Sequence, residues 1–278
     1  MSEKKEKGFF EALKQTRITT VSAAWVFYFL TALLPMAFLL ITAFAVFGVN
    51  LADKAVGYLP EEFRPAGEAI LSAAENASHG MTVFFVLTVL FSGSTLLARM
   101  SKDGEFLYEK QCEKRNPFLR RLWAVFALCV LFAVFLGAAV LFAFKDMIFP
   151  VRADGNDGIF ITALVFLFII SVCYVIIILL NKFIAPVKLG APAVMFGSFV
   201  SLFVTVAGTI GFTLYLRFFN SYNAFYGSLA AVIVFLLWAY IIMTGLFFGS
   251  FVCMRVQYSE QSRRERKIVK AAINGQKE

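Results

Sequence analysis

The sequence predicts an all-α, polytopic membrane protein: six transmembrane helices, both termini on the cytoplasmic side, and short interfacial helices beside them. Three observations predict it. Between Val21 and Met254 lie six long apolar stretches with no Asp, Glu, Lys, Arg or His inside them. The chain is 60% hydrophobic and 16% charged, against about 25% charged in soluble domains. Its Lys and Arg crowd into alternate connecting segments, the pattern that orients helices with their basic connections inward.

A hydrocarbon core takes about 20 apolar residues at roughly 1.5 Å each. That length places the spans at Trp25–Val49, Met81–Ala98, Leu122–Phe144, Ile159–Leu180, Pro192–Leu216 and Tyr226–Met254. Residues 1–24 form an N-terminal cytoplasmic segment, 25–254 the membrane domain and 255–278 a basic cytoplasmic tail. The segments assigned inward hold 21 of the 26 Lys and Arg and ten of the 18 acids. The net charge of +8 therefore belongs to topology and to anionic inner-leaflet lipid, and nucleic acid is not an implied partner.

In chain order, Gly8–Arg17 reads as a surface helix with Phe9, Phe10 and Leu13 opposite Glu11, Lys14 and Arg17. The first apolar run is longer than the roughly 7–15 residues of a signal peptide and is expected to be retained. Pro35 interrupts it and leaves the Thr31 carbonyl without its helical donor. The periplasmic loop 50–80 carries Pro60, Pro65 and five acids, and its Glu68–Ala77 stretch reads as an interfacial helix. Asn76–Ser78 has the form of a glycosylation acceptor, a pattern of three residues that carries little information by itself.

Span two holds Ser92-Gly93-Ser94-Thr95. The cytoplasmic loop 99–121 follows with seven basic residues, balanced by Asp103, Glu105, Glu109 and Glu113. Span five carries Ala193, Gly197, Ser201 and Thr205 at every fourth position, then Gly208 and Gly211; span six carries Gly245 and Gly249. Such stripes let helices approach closely, and a hydroxyl-lined cavity is the sharper alternative. Span six is long enough to tilt, and the tail beyond it reads as a separate surface helix. Trp25 and Trp123 stand at the cytoplasmic ends of their spans, where indoles straddle lipid and water. Trp238 and Tyr240 fall mid-span and need partners inside the bundle. Cys129, Cys173 and Cys253 lie in or at the end of spans and Cys112 in a loop; without a CxxC pair they read as buried apolar side chains.

Several of these residues resemble one family. Ser22-Ala23-Ala24, Tyr28 and Leu34-Pro35 look like the opening of the bacterial YihY/BrkB membrane proteins. Phe91-Ser92-Gly93-Ser94 and Asn116-Pro117-Phe118-Leu119-Arg120-Arg121-Leu122 are similar to that family's second span and following loop. Tyr215, Tyr222, Tyr226-Gly227-Ser228-Leu229, Trp238, Tyr240 and Gly245 carry the strongest likeness. The segment Asn181–Lys188 departs from it, lacking the family's Pro-Asn and Trp-Arg pairs, so no role is carried over there. The resemblance implies six helices, a bacterial inner membrane and no settled activity; members have borne ribonuclease and serum-resistance labels.

Chemistry in the sequence is sparse. The single histidine, His79, lies in an outer loop, and the acids from Asp103 to Glu113 lack metal-binding spacing, so no catalytic residue, metal or cofactor is expected. The leading expectation is a protein that handles a lipid or amphipathic solute between leaflets. Its binding and gating residues would be Tyr28, Pro35, Ser92, Ser94, Tyr226, Trp238 and Tyr240, where spans one, two, five and six meet. Gly197, Ser201, Gly208, Gly245 and Gly249 would serve helix packing. The alternative is a non-transporting scaffold in envelope assembly or resistance, and a remote third a cytoplasmic-face hydrolase or ribonuclease. Membrane lipids are the expected partners; no protein partner is indicated.

Overall fold

The computed structural model describes residues 16–46, 79–108, 116–143, 156–218 and 229–275, with Leu13, Glu68, Ala69 and Ser72. Six helices carry them: α1 (Ile18–Val46), α2 (His79–Leu107), α3 (Pro117–Ala143), α4 (Asn156–Ile184), α5 (Ala191–Phe218) and α6 (Leu229–Gly275). Each is long and apolar enough to cross a membrane, and among the described residues there is no strand. In hydrocarbon a spanning segment must bond its own backbone groups, which the α-helix does. Phe27, Phe84, Phe91, Phe166 and Phe203 point away from the bundle, each 63–67% exposed. Such a coat belongs in lipid, not water.

Local chemistry sets the helix ends. Thr16 donates its backbone N–H and its hydroxyl to the Leu13 carbonyl, and Arg17 then adopts a left-handed φ of 48°. That conformation costs a side-chain-bearing residue about 1–2 kcal/mol and makes the turn into α1. Pro117 opens α3 in the first helical position, where its missing N–H costs nothing. At the far end of α4, Pro186 cannot continue the helix, and the Ala185 N–H closes on the Asn181 carbonyl.

Three boundaries differ most from the sequence reading. α1 begins at Ile18, before Trp25. α2 runs past Ala98 to Leu107, so Arg99, Lys102, Asp103 and Glu105 are helical, not looped. Their acids find partners on the neighbouring helices, which a loop would not need. α6 is a single helix of 47 residues, about 70 Å long and twice what a ~30 Å core needs. The tail to Gly275 is therefore a helical continuation of the last span, with no break after Met254. Most of Gly8–Arg17 and Glu68–Ala77, together with Tyr226 and Cys112, lies outside the described residues.

α5 and α6 form the most intimate pair, followed by α1 and α2; α6 stands between α5 and α1, while α3 leans on α2 and only lightly on α4. The apolar core gathers near one end of the bundle around Trp25, Met100, Tyr108, Phe247 and Phe251. That end also collects Arg99, Arg120, Lys182 and Arg255, and is called the basic end below.

Candidate functional site

Two polar junctions hold the basic end. In the first, the Trp25 indole N–H donates to the Asp103 carboxylate at 2.8 Å, and the Arg120 guanidinium meets Glu105 at 3.1 Å. The extension of α2 thus ties α1 on one side and α3 on the other. Arg99 approaches Asp103 at 3.8 Å from one turn earlier. Gly104, between the two acids, sits where a β-carbon would strike the Ile184 carbonyl of α4; glycine is what lets the helices approach there. Trp25 is fully buried and packs edge-on to Phe247, so it is a core residue and not an interfacial anchor. Its N–H has a carboxylate to bond, which makes burial tolerable.

In the second junction Asn181 is the hub. Its amide donates to the Ser198 hydroxyl at 3.0 Å, and its carbonyl accepts from Ser250 at 2.6 Å. One side chain at the end of α4 therefore joins α5 and α6. The Gln257 side chain accepts the Gly190 N–H, extending the same contact to the α4–α5 connection. Near both junctions Tyr108 is buried, and its hydroxyl has no hydrogen-bond partner among the described residues. Burial, then the nearby Cys253 and Tyr258, push that hydroxyl's pKa well above its ordinary value, so it stays protonated.

The seam between α5 and α6 is built from small residues. A β-carbon on Gly197 would meet the Cys253 sulfur and the Gly249 carbonyl, and one on Gly249 would meet Ser201. Gly245 faces Thr205, and Gly208 faces Ile241. The Ser201 hydroxyl donates across the seam to the Gly245 carbonyl at 2.9 Å. Close backbone approach and an interhelical hydrogen bond leave no room here for a solute.

Space appears elsewhere. A groove of about 280 Å³ runs between α3 and α4, lined by Trp123, Phe126, Ala127, Val130, Leu131, Leu179, Leu180, Lys182 and Phe183. Its walls are apolar, and Lys182 is its one charge. Trp123 is half-exposed beside Phe126, in the position of an interfacial indole.

A model of the family described as virulence factor BrkB matches residues 9–274. The chain belongs to the BrkB family. It is similar to the putative ribonuclease-like protein YfkH of Bacillus subtilis (strain 168), 26% identical over 241 residues, 79% of this chain and 83% of the relative. It is also similar to a UPF0761 membrane protein of Coxiella burnetii (strain Dugway 5J108-111), 23% identical over 236 residues, 80% and 83% of the two chains. No solved structure matches. The protein is an integral membrane protein with six candidate spans. The name YfkH carries a nuclease term, yet the family is a membrane group and not a known enzyme family.

For this BrkB chain the structure distributes the sequence-predicted residues over separate interfaces. Ser92 donates to the Thr88 carbonyl and Ser94 to the Phe91 carbonyl, both within α2. Pro35 is buried within α1, while Tyr28, Trp238 and Tyr240 are partly buried; Tyr240 packs on the apolar core and Trp238 beside Phe235. Cys253 is buried, but Cys129 and Cys173 are exposed on the lipid side, correcting the expectation that these thiols are interior. Sequence reasoning missed Asn181, Ser198, Ser250, Gly104 and the acid partners of Trp25 and Arg120. A lone carboxamide closing an apolar run, and a glycine between two acids, were the available signals.

Proposed function

We propose that this BrkB-family protein is a multi-pass protein of a bacterial cytoplasmic (inner) membrane, basic end inward, that handles a lipid or amphipathic solute between leaflets. Its roles are binding and gating, not bond-making. One observation carries the reading: the α3–α4 groove is apolar along its length, bordered by the exposed Trp123 and Phe126, with Lys182 as its one charge. An amphiphile has the matching distribution of chain and head. The six apolar stretches of the sequence carry no Asp, Glu, Lys, Arg or His, the groups on which proton relays depend. The acids of α2 near its basic end are bonded to Trp25 and Arg120, which is consistent with a substrate that supplies its own charge. The test is transbilayer movement of labelled envelope lipids in vesicles holding the purified protein. Movement should exceed that of empty vesicles and fall to background in Val130→Phe, which fills the groove; equal rates in all three sink the proposal.

A second reading rests on the projecting part of α6, where Arg263 and Arg266 are exposed. In it the protein is a scaffold whose basic rod recruits partners. Removing residues 264–278 would then abolish its cellular role, while Val130→Phe would not.

A further inference from the structure

We infer that the α3–α4 groove is a binding site for one chain of an anionic membrane lipid, with Lys182 reading the charge of the headgroup. The inference deepens the proposed function and rests on it for the groove's use, while the binding itself is separately measurable.

The volume sets the first limit. About 280 Å³ falls at the lower edge of the roughly 300–1,000 Å³ typical of small-molecule pockets. It holds part of an amphiphile and leaves the rest in the bilayer. Val130, Leu131, Leu179 and Leu180 offer no hydrogen bond, so the part held is hydrocarbon. Because the surrounding surface is itself lipid-facing, a chain enters sideways and crosses no polar barrier.

Charge complementarity names the head. Four arginines of the basic end have contacts of their own, and Lys182 is the one cation that lines the groove. Arg120 is paired with Glu105, Arg99 approaches Asp103, Arg121 lies over the Phe91 ring at 4.8 Å and Arg255 over Phe251 at 5.7 Å. Lys182 is exposed on the last turn of α4, and no acidic residue lines the groove with it. The carbonyl end of α4 opposes an anion there, while the amino end of α3 favours one. These two helix-end fields largely offset each other across the groove, so the full charge of Lys182 decides the sign. Its aliphatic stem lies along apolar surface while the ammonium reaches the headgroup layer. Trp123, at the same mouth, supplies an indole of the kind that sits at headgroup level.

Brominated-chain lipids test this, because they quench an indole only when a chain lies against it. The part of the fluorescence absent in Trp123→Phe isolates Trp123 from Trp25 and Trp238. In reconstituted full-length protein, brominated phosphatidylglycerol should quench that part at about fivefold lower mole fraction than brominated phosphatidylcholine, the weight of one cation at the site. Lys182→Gln should erase the difference, Lys182→Glu should reverse it, and Lys182→Arg should keep it, which also shows that changes at this position still fold. Equal quenching by the two lipids, or a preference that survives Lys182→Gln, overturns the inference. The two claims separate cleanly. Lipid movement without headgroup preference removes Lys182 as the reader and spares the proposed function; a Lys182-dependent preference without movement does the opposite.

Discussion

The α5–α6 pair and the α3–α4 pair are both neighbouring helices in the same bundle, yet one is sealed and the other open. Along α5–α6, Gly197, Ser201, Gly245 and Gly249 bring backbone against backbone, and Ser201 bonds across to a carbonyl. Along α3–α4 the facing residues are Trp123, Phe126, Val130, Leu131 and Leu179. Bulky side chains hold the axes apart without interlocking, and a groove remains between them. In water such a gap would be closed by the hydrophobic effect. In a bilayer the competing solvent is equally apolar, so helices associate where packing and hydrogen bonds favour contact. Small polar residues therefore mark the closed seam, and large apolar ones border the open space.

The largest expected effect breaks the seam. Gly197→Leu drives a side chain into the Cys253 sulfur and the backbone of Gly249. Overpacking a core commonly costs about 1–3 kcal/mol, and a backbone obstacle relaxes less readily than a flexible side chain. The variant should yield little monodisperse protein on size exclusion in detergent. Gly137→Leu on α3, where a β-carbon meets nothing within 4 Å, should behave like the parent chain. If the two variants behave alike, the contrast between the pairs is wrong.

An intermediate effect concerns the hub that joins three helices. Asn181→Leu removes the bonds to Ser198 and Ser250; the Ser250 hydroxyl keeps the Leu246 carbonyl, and the Ser198 hydroxyl loses the Asn181 amide. Interhelical hydrogen bonds in membranes average about 0.6 kcal/mol and reach about 1.7, so a loss of roughly 1–3 kcal/mol is expected. Thermal unfolding in detergent should show a lower Tm, while Ser92→Ala, whose hydroxyl serves its own helix, should show almost none. Equal changes would mean that Asn181 contributes no more than a hydroxyl bonded within its own helix.

Much of the fold was legible because hydrocarbon permits so few solutions: six charge-free runs of sufficient length can only become helices. What was not legible depended on partners distant in sequence. Residues 99–107 read as a charged loop until Asp103 is seen to receive the Trp25 indole and Glu105 the Arg120 guanidinium. The same pairing explains why Trp25, placed like an interfacial anchor, is buried. Ser92 and Ser94 drew attention as hydroxyls in lipid, but a serine one turn above a carbonyl satisfies itself. The four-residue spacing on α5 was visible in the sequence, whereas the α6 surface that meets it was not. For the groove there was no signal, since nothing in Val130 or Leu179 alone distinguishes a wall from an ordinary lipid-facing side chain.

The smallest structural effect is expected where the comparison is most open to test, inside the groove. Val130→Phe adds bulk at a position bordered by space and by lipid, not by a backbone. Substitutions away from tight contacts usually change stability by less than about 0.5 kcal/mol, so its Tm should match the parent's within that margin. Its lipid movement should nonetheless be lost, because the added ring occupies the volume a chain would take. Stability and activity then part at this one residue, whereas at Gly197 they fail together. A Val130→Phe protein that unfolds like Gly197→Leu would show that α3 and α4 interlock after all, and the groove would lose its claim to be a site.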